Sequence, residues 1–157
     1  MNPEEIADYL ALKALVEEYA STADTRDYDG YRQLFAPDAV FTGRAPGADK
    51  EFMQVHGSDE IGQMLHANDA FTQTFHAIHN FRCTVDGDRA TGVTYCVARH
   101  YRETDSGADV VIVPLRYHDA YVRTSGGWRF SSREICFTWA EKAVADPAEL
   151  AAWIGDS

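Results

Sequence analysis

Basic residues are scarce in this chain. Fourteen lysines and arginines face 25 aspartates and glutamates over 157 residues, a formal net charge of -11. Such a field repels phosphate backbones and anionic head groups, so neither nucleic acid nor a membrane surface is an expected partner. Long apolar runs are missing too. The most apolar short stretch, Val110 to Val113, is far too brief to span a bilayer. The start, Met1-Asn2-Pro3-Glu4-Glu5, lacks the basic and apolar regions of a secretion signal. Only three cysteines occur (Cys83, Cys96, Cys136), an odd number and each within a strand-like segment, which fits buried free thiols and a cytoplasmic location. There is no phosphate-cradling glycine loop and no GxSxG nucleophile elbow, so no nucleotide or organic cofactor is expected. None of the six histidines has a partner at helical i, i+4 spacing; His66 stands alone on its helix, and no metal is expected.

What is present is the material of one globular domain spanning residues 1–157. Hydrophobic residues make up 45% and aromatics 12%, and a chain this long buries roughly 70% of its unfolded surface. From Pro3 to about Asp24, the residues Ile6, Tyr9, Leu10, Val16, Tyr19 and Ala23 recur at helical spacing, with Asn2 and Pro3 suited to the N-cap and first turn. A short helix is predicted over 28–35 and a short strand over 39–42. Three glycine or proline breaks in 43–56 predict an irregular loop at the mouth of a pocket. Ser58 is a good N-cap for a helix over 59–67.

The period then changes. Residues 71–85, 90–103, 109–123 and 128–139 are rich in β-branched and aromatic side chains. Asp86-Gly87-Asp88, Asp105-Ser106-Gly107 and Ser125-Gly126-Gly127 separate them as hairpin turns. This predicts a four-strand antiparallel meander, and strands this long must twist and curl. A terminal helix is expected over 146–154. The fold class is α+β: a cone-shaped, curved antiparallel sheet with N-terminal helices enclosing one apolar pocket.

The segment Tyr19-Ala-Ser-Thr-Ala-Asp24-Thr-Arg-Asp27-Tyr-Asp29, followed by Leu34-Phe35-Ala36-Pro37-Asp38-Ala39, resembles the SnoaL-like branch of the nuclear transport factor 2-like superfamily. So do the His76 strand, the Asp86-Gly87-Asp88-Arg89-Ala90 turn and Gly126-Gly127-Trp128-Arg129. That branch includes scytalone dehydratase, bile acid 7α-dehydratase and hexachlorocyclohexane dehydrochlorinase. The resemblance covers nearly the whole chain. It implies a nuclear transport factor 2-like (cystatin-like) cone and a cofactor-independent lyase, although the superfamily also holds isomerases, cyclases and non-enzymes.

The resemblance assigns the catalytic positions to Asp24 and His76, with Tyr19 five residues before the aspartate and His100 as a second histidine. On physical grounds a carboxylate fixes an imidazole's tautomer and stabilises its cation, so the imidazole can take a carbon-bound proton near neutral pH. Tyr19 would hydrogen-bond a developing oxyanion and His100 would assist the leaving group. Two geometric conditions attach. Tyr19 and Asp24 lie about 140° apart around a helix, so they share a pocket only if Tyr19 enters from its edge or the helix end unwinds. Strand alternation puts His76, Ile78 and Asn80 on one face and Phe75, Ala77, His79 and Phe81 on the other, so His79 is expected against the helices or a partner chain. His100 falls in the alternating set Thr94, Cys96, Ala98, His100, Arg102, whose small members leave room for a ligand. His118, Asp119, Arg133 and Glu134 are expected to pair across the sheet or at an interface. Phe137 stands where bile acid 7α-dehydratase carries an arginine, which argues against a carboxylate- or thioester-linked steroid. The expected ligand is a hydrophobic cyclic or polyketide-like small molecule, and a homodimer through the sheet face is expected. A non-catalytic binding module and a protein-interaction domain are the alternatives outside enzymes.

Overall fold

The structure, a computed structural model, describes residues 2–155. Helix α1 (Pro3–Thr25) starts at Asn2, whose side chain accepts from the Glu5 amide while the Glu5 carboxylate accepts from the Asn2 amide. This reciprocal box satisfies two of the donors that a helix start leaves open. The apolar stripe is incomplete at this end: Ile6 and Leu10 are exposed, while Asp8 is buried. Asp8 faces inward because Arg123 grips both its oxygens at 2.8 Å and Trp128 Nε1 donates to it at 3.0 Å. Helix α2 (Tyr28–Gln33) is shorter than the sequence predicts and leads directly into strand β1 (Phe35–Arg44).

Two expectations about this region fail. The strand is ten residues long rather than four, because Pro37 and Asp38 sit exposed in an irregularity between Phe35 and Val40 instead of ending it. The predicted loop 43–56 contains a real strand, β2 (Glu51–His56), paired antiparallel to β1. Its exposed edge alternates too weakly to be recognised from residue types. Helix α3 (Ser58–Met64) begins one residue early and passes into a 3₁₀ segment, Leu65–Ala70.

The predicted meander is present as β3 (Gln73–Asp86), β4 (Arg89–Thr104), β5 (Gly107–Thr124) and β6 (Gly127–Phe137). Gly87 and Gly127, with φ of 57° and 101°, take the left-handed turn positions that a Cβ would oppose. The sheet runs β2-β1-β6-β5-β4-β3 and curls without closing. It is mixed rather than wholly antiparallel, because β1 lies parallel to β6. A further strand, β7 (Glu141–Ala145), pairs with residues 108–112 of β5, beyond the stretch 115–124 that pairs with β6. Pro114, which has no N–H to give, falls in the gap between the two partners. Helix α4 (Pro147–Ile154) ends the described chain.

Helix α1 packs into the concave face of the sheet, where Leu12, Val16, Phe41, Ile61 and Phe130 are almost wholly buried. Inside this core lies an ion pair. Arg133 Nε and Nη2 donate to the two carboxylate oxygens of Asp119 at 2.8 Å each, and neither side chain has any exposure. The guanidinium stacks at 4.0–4.1 Å on the rings of Tyr19, Tyr117 and Phe130. Glu134 is also paired across the sheet, with Arg44 of β1 at 2.6 Å on the outer face. Removing one member of a buried pair strands the other charge, typically at a cost of about 3–5 kcal/mol. Urea unfolding of Arg133→Met is therefore expected to show a loss of about that size. The double variant D119L/R133M, with no charge left behind, is expected to recover much of it.

Candidate functional site

Asp24 lies in the last turn of α1, which stays helical through Thr25 and does not unwind. Its carboxylate reaches across to β3. Oδ2 accepts the backbone N–H of His76 at 2.8 Å, and Oδ1 accepts from His76 Nδ1 at 2.6 Å and from the Thr74 hydroxyl at 2.9 Å. Burial alone would raise the Asp24 pKa. The hydrogen bonds and charge of His76, with Thr74, outweigh it and hold the carboxyl below its ordinary value. An ionised carboxylate can only accept, so His76 Nδ1 carries a hydrogen. The lone pair is left at Nε2 for the cavity whose wall His76 helps to form.

His76 can face inward because of its register on β3: it sits opposite Ala98, and Thr74 opposite His100. A bulge then intervenes, for Ile78 pairs with Cys96 but Phe81 pairs with Thr94. One extra residue reverses the alternation. Phe81 therefore joins the His76 side and is buried, contrary to the simple alternation. His79 is exposed and sits with Tyr95 and Trp139 along an outer-face groove, not against the helices.

The cavity has a volume of about 210 Å³. Tyr19, Tyr31, Tyr117, His76, His100 and Asn68 supply its polar wall, and Met53, Leu65, Val113, Ile135 and Phe137 much of the rest. Asp24 stands behind His76 rather than on the wall. Tyr19 enters as the first geometric condition required, pointing inward while Asp24 turns toward the sheet. The Tyr31 hydroxyl donates to that of Tyr19 at 3.2 Å. Burial raises the pKa of Tyr19, Tyr31 and Tyr117 against the pull of Arg133, so all three remain phenols with a proton to donate. The His100 ring lies 5.7 Å from that of His76 and 4.8 Å from Phe71. Burial, with His76 nearby, lowers its pKa to about 4, so His100 is neutral at physiological pH.

Sequence reasoning missed Thr74, Arg26, Tyr31 and Tyr117. Two signals were available: Thr74 is two residues from His76 on one strand face, and Arg26 adjoins the helix end that carries Asp24. A larger depression, about 490 Å³, lies on the outer face and includes Arg82, Thr84, His118 and Ser132, but it is open and holds no comparable acid–base pair. On that face His118, Glu134 and Cys136 bring ligand-type atoms within 4.8 Å of one another. A cation there would compete with Arg44 for Glu134 and meet Arg116, the cross-strand neighbour of Cys136. These charges disfavour a metal.

The lowered pKa of His100 gives a pH dependence of known sign. Between about pH 6.5, the ordinary histidine value, and about pH 4, the unfolded chain binds a proton at this position that the folded chain does not. Stability conferred by neutral burial is thus present above that window and is lost as pH falls through it. The Asp24 contribution is lost only at lower pH, below its ordinary carboxylate value. Urea unfolding at pH 7 and pH 5 is expected to show a smaller acid loss for His100→Leu than for the unaltered protein.

Comparison with known proteins agrees with this architecture. The uncharacterised protein Rv2910c of Mycobacterium tuberculosis is 32% identical over 132 residues, covering 82% of this chain and 84% of that protein. The crystal structure of Kfla4162 from Kribbella flavida superposes with a TM-score of 0.77 at 28% identity, covering 94% of this chain and 99% of that one. A protein assigned as a scytalone dehydratase from Novosphingobium aromaticivorans gives 0.77 at 21% identity, with 100% and 99% covered. The hexachlorocyclohexane dehydrochlorinase LinA-type3 from Novosphingobium barchaimii gives 0.76 at 16% identity, with 91% and 94% covered. These last two likenesses are of fold. The model of the SnoaL-like domain matches residues 4–134, and the chain belongs to that family.

Proposed function

We propose that this protein is a cofactor-independent lyase of the dehydratase kind, acting on a hydrophobic cyclic or polyketide-like small molecule. The observation that carries the reading is the 2.6 Å contact of His76 Nδ1 with Asp24, which leaves the other ring nitrogen free at an apolar cavity. His76 Nε2 removes a proton from the carbon beside an activating carbonyl, and Asp24 stabilises the resulting imidazolium. The electron pair moves onto the carbonyl oxygen, where the Tyr19 hydroxyl, itself polarised by Tyr31, donates a hydrogen bond. Return of that pair forms the double bond and expels the hydroxyl on the next carbon. Neutral His100 donates a hydrogen bond to the departing oxygen, and His76 returns its proton to complete the water. The substrate loses one hydrogen and one hydroxyl, and the protein ends as it began.

The lining favours a neutral substrate. It contains no lysine or arginine, and Phe137 occupies the wall. At about 210 Å³ the cavity is below the ~300–1,000 Å³ of common ligand pockets, which suits one or two fused rings. The pair of tyrosine hydroxyls also serves an enolate that is reprotonated elsewhere, so an isomerase or cyclase is the second reading.

Mass spectrometry of incubations with cyclic hydroxy-ketones separates the two, because a dehydratase product is lighter by one water and an isomer is not. One placed base supplies roughly 10²–10⁴-fold in rate, so His76→Ala is expected to lose about that much kcat while still folding with a cooperative thermal transition. A variant with undiminished turnover would end this mechanism.

A further inference from the structure

Arg26 is the only residue other than glycine with a positive φ among the described residues, at 59°. It caps α1 in a left-handed conformation, where glycine is the common choice. A side chain retained at a strained position invites the question of what it holds. Its guanidinium faces in three directions. Nη1 donates to the Ala23 carbonyl at the helix end and to the Thr74 hydroxyl oxygen, both at 2.8 Å. Nη2 donates to the Asn68 carbonyl at 2.9 Å. Nε lies 3.6 Å from the Asp69 carboxylate.

The Thr74 contact decides where a proton points. A hydroxyl has one hydrogen, and with its oxygen accepting from Arg26, that hydrogen is directed to Asp24 Oδ1. The same oxygen receives His76 Nδ1. The Asn68 contact lies on the 3₁₀ segment Leu65–Ala70, whose Leu65, Ala67 and Asn68 form part of the cavity wall. Asp69 fastens the same segment further, taking the Tyr28 hydroxyl at 2.6 Å and His66 Nδ1 at 2.9 Å, while the Tyr28 and His66 rings stack at 4.2 Å. The segment has no strand partners, so it can shift without breaking a sheet.

We propose that Arg26 is a positioning residue that couples closure of the 65–70 segment over the cavity to the alignment of Asp24 and His76. The catalytic meaning of that alignment rests on the reading of His76 as the base. With the segment closed, the guanidinium is held between Asn68 and Thr74, the Thr74 hydrogen is turned to Asp24, and the carboxylate keeps the imidazole in its productive tautomer. With the segment lifted, Arg26 loses its Asn68 anchor and Thr74 is free to rotate.

Two readouts independent of turnover test the link: amide hydrogen exchange of 65–71, and the His76 Nδ1–H proton resonance, which is visible only while that hydrogen is held. Arg26→Met is expected to raise exchange across 65–71 by about tenfold and to abolish the resonance. Thr74→Val, which leaves the Asn68 bond in place, is expected to abolish the resonance without opening the segment. If a folded Arg26→Met leaves either observable unchanged, the coupling is refuted. Should that variant not fold, a Thr74→Val protein that keeps the resonance refutes it equally. A substrate, once found, adds a kcat loss with little change in KM for both variants. An active His76→Ala alongside intact coupling would sink the catalytic reading and leave the linkage standing.

Discussion

The Asp24 carboxylate is the bond between the two halves of this molecule's site. It projects from the last turn of α1, where the helix dipole opposes a negative charge, and no helix-stabilising argument explains it there. Its compensation comes from β3 instead: a backbone amide, a hydroxyl and an imidazole all donate to it. A carboxylate with three donors is fixed in orientation, and so is the ring that it holds. The helix end, the strand and the tautomer of His76 are therefore one arrangement, and losing any donor loosens all three.

Around that arrangement the charges are sorted by depth. The sequence is strongly acidic, yet Arg133, the one cation wholly inside the core among the described residues, lies beneath Tyr19, Tyr117 and Phe130 and is paired with Asp119. Its positive field pulls against the burial that raises the pKa of Tyr19, Tyr31 and Tyr117. The cavity is thus apolar in lining but directional in polarity, with phenol donors on one side and two imidazoles on the other. One imidazole is backed by a carboxylate, while the other is kept neutral by burial. Two like groups given different environments are able to take different roles in one reaction.

Local chemistry was legible in the residues. Asn2 with Glu5 marks the start of α1, and the glycine-bearing turns at 87, 107 and 127 mark the hairpins, because each signal acts within a few residues of itself. The parallel pairing of β1 with β6 was not legible, since its partners lie about ninety residues apart and nothing local records them. Strand β7 escaped for the same reason. The bulge after Ile78 is a subtler case: alternation is a reliable rule until one residue is inserted, and the insertion is visible only in the partner's register.

The sequence by itself determined the α+β order and the acidic character, because residue type and short-range period carry that information, and its resemblance to the SnoaL-like branch supplied the candidate residues Asp24, His76, Tyr19 and His100. Tertiary structure alone decided that Asp24 touches His76 while Tyr19 faces the cavity from another side of the same helix. It also decided that Arg26 and Thr74 stand behind the pair, and that His79 is turned outward. These are contacts between segments about fifty residues apart, and they exist only once the curled sheet has brought β3 against the end of α1.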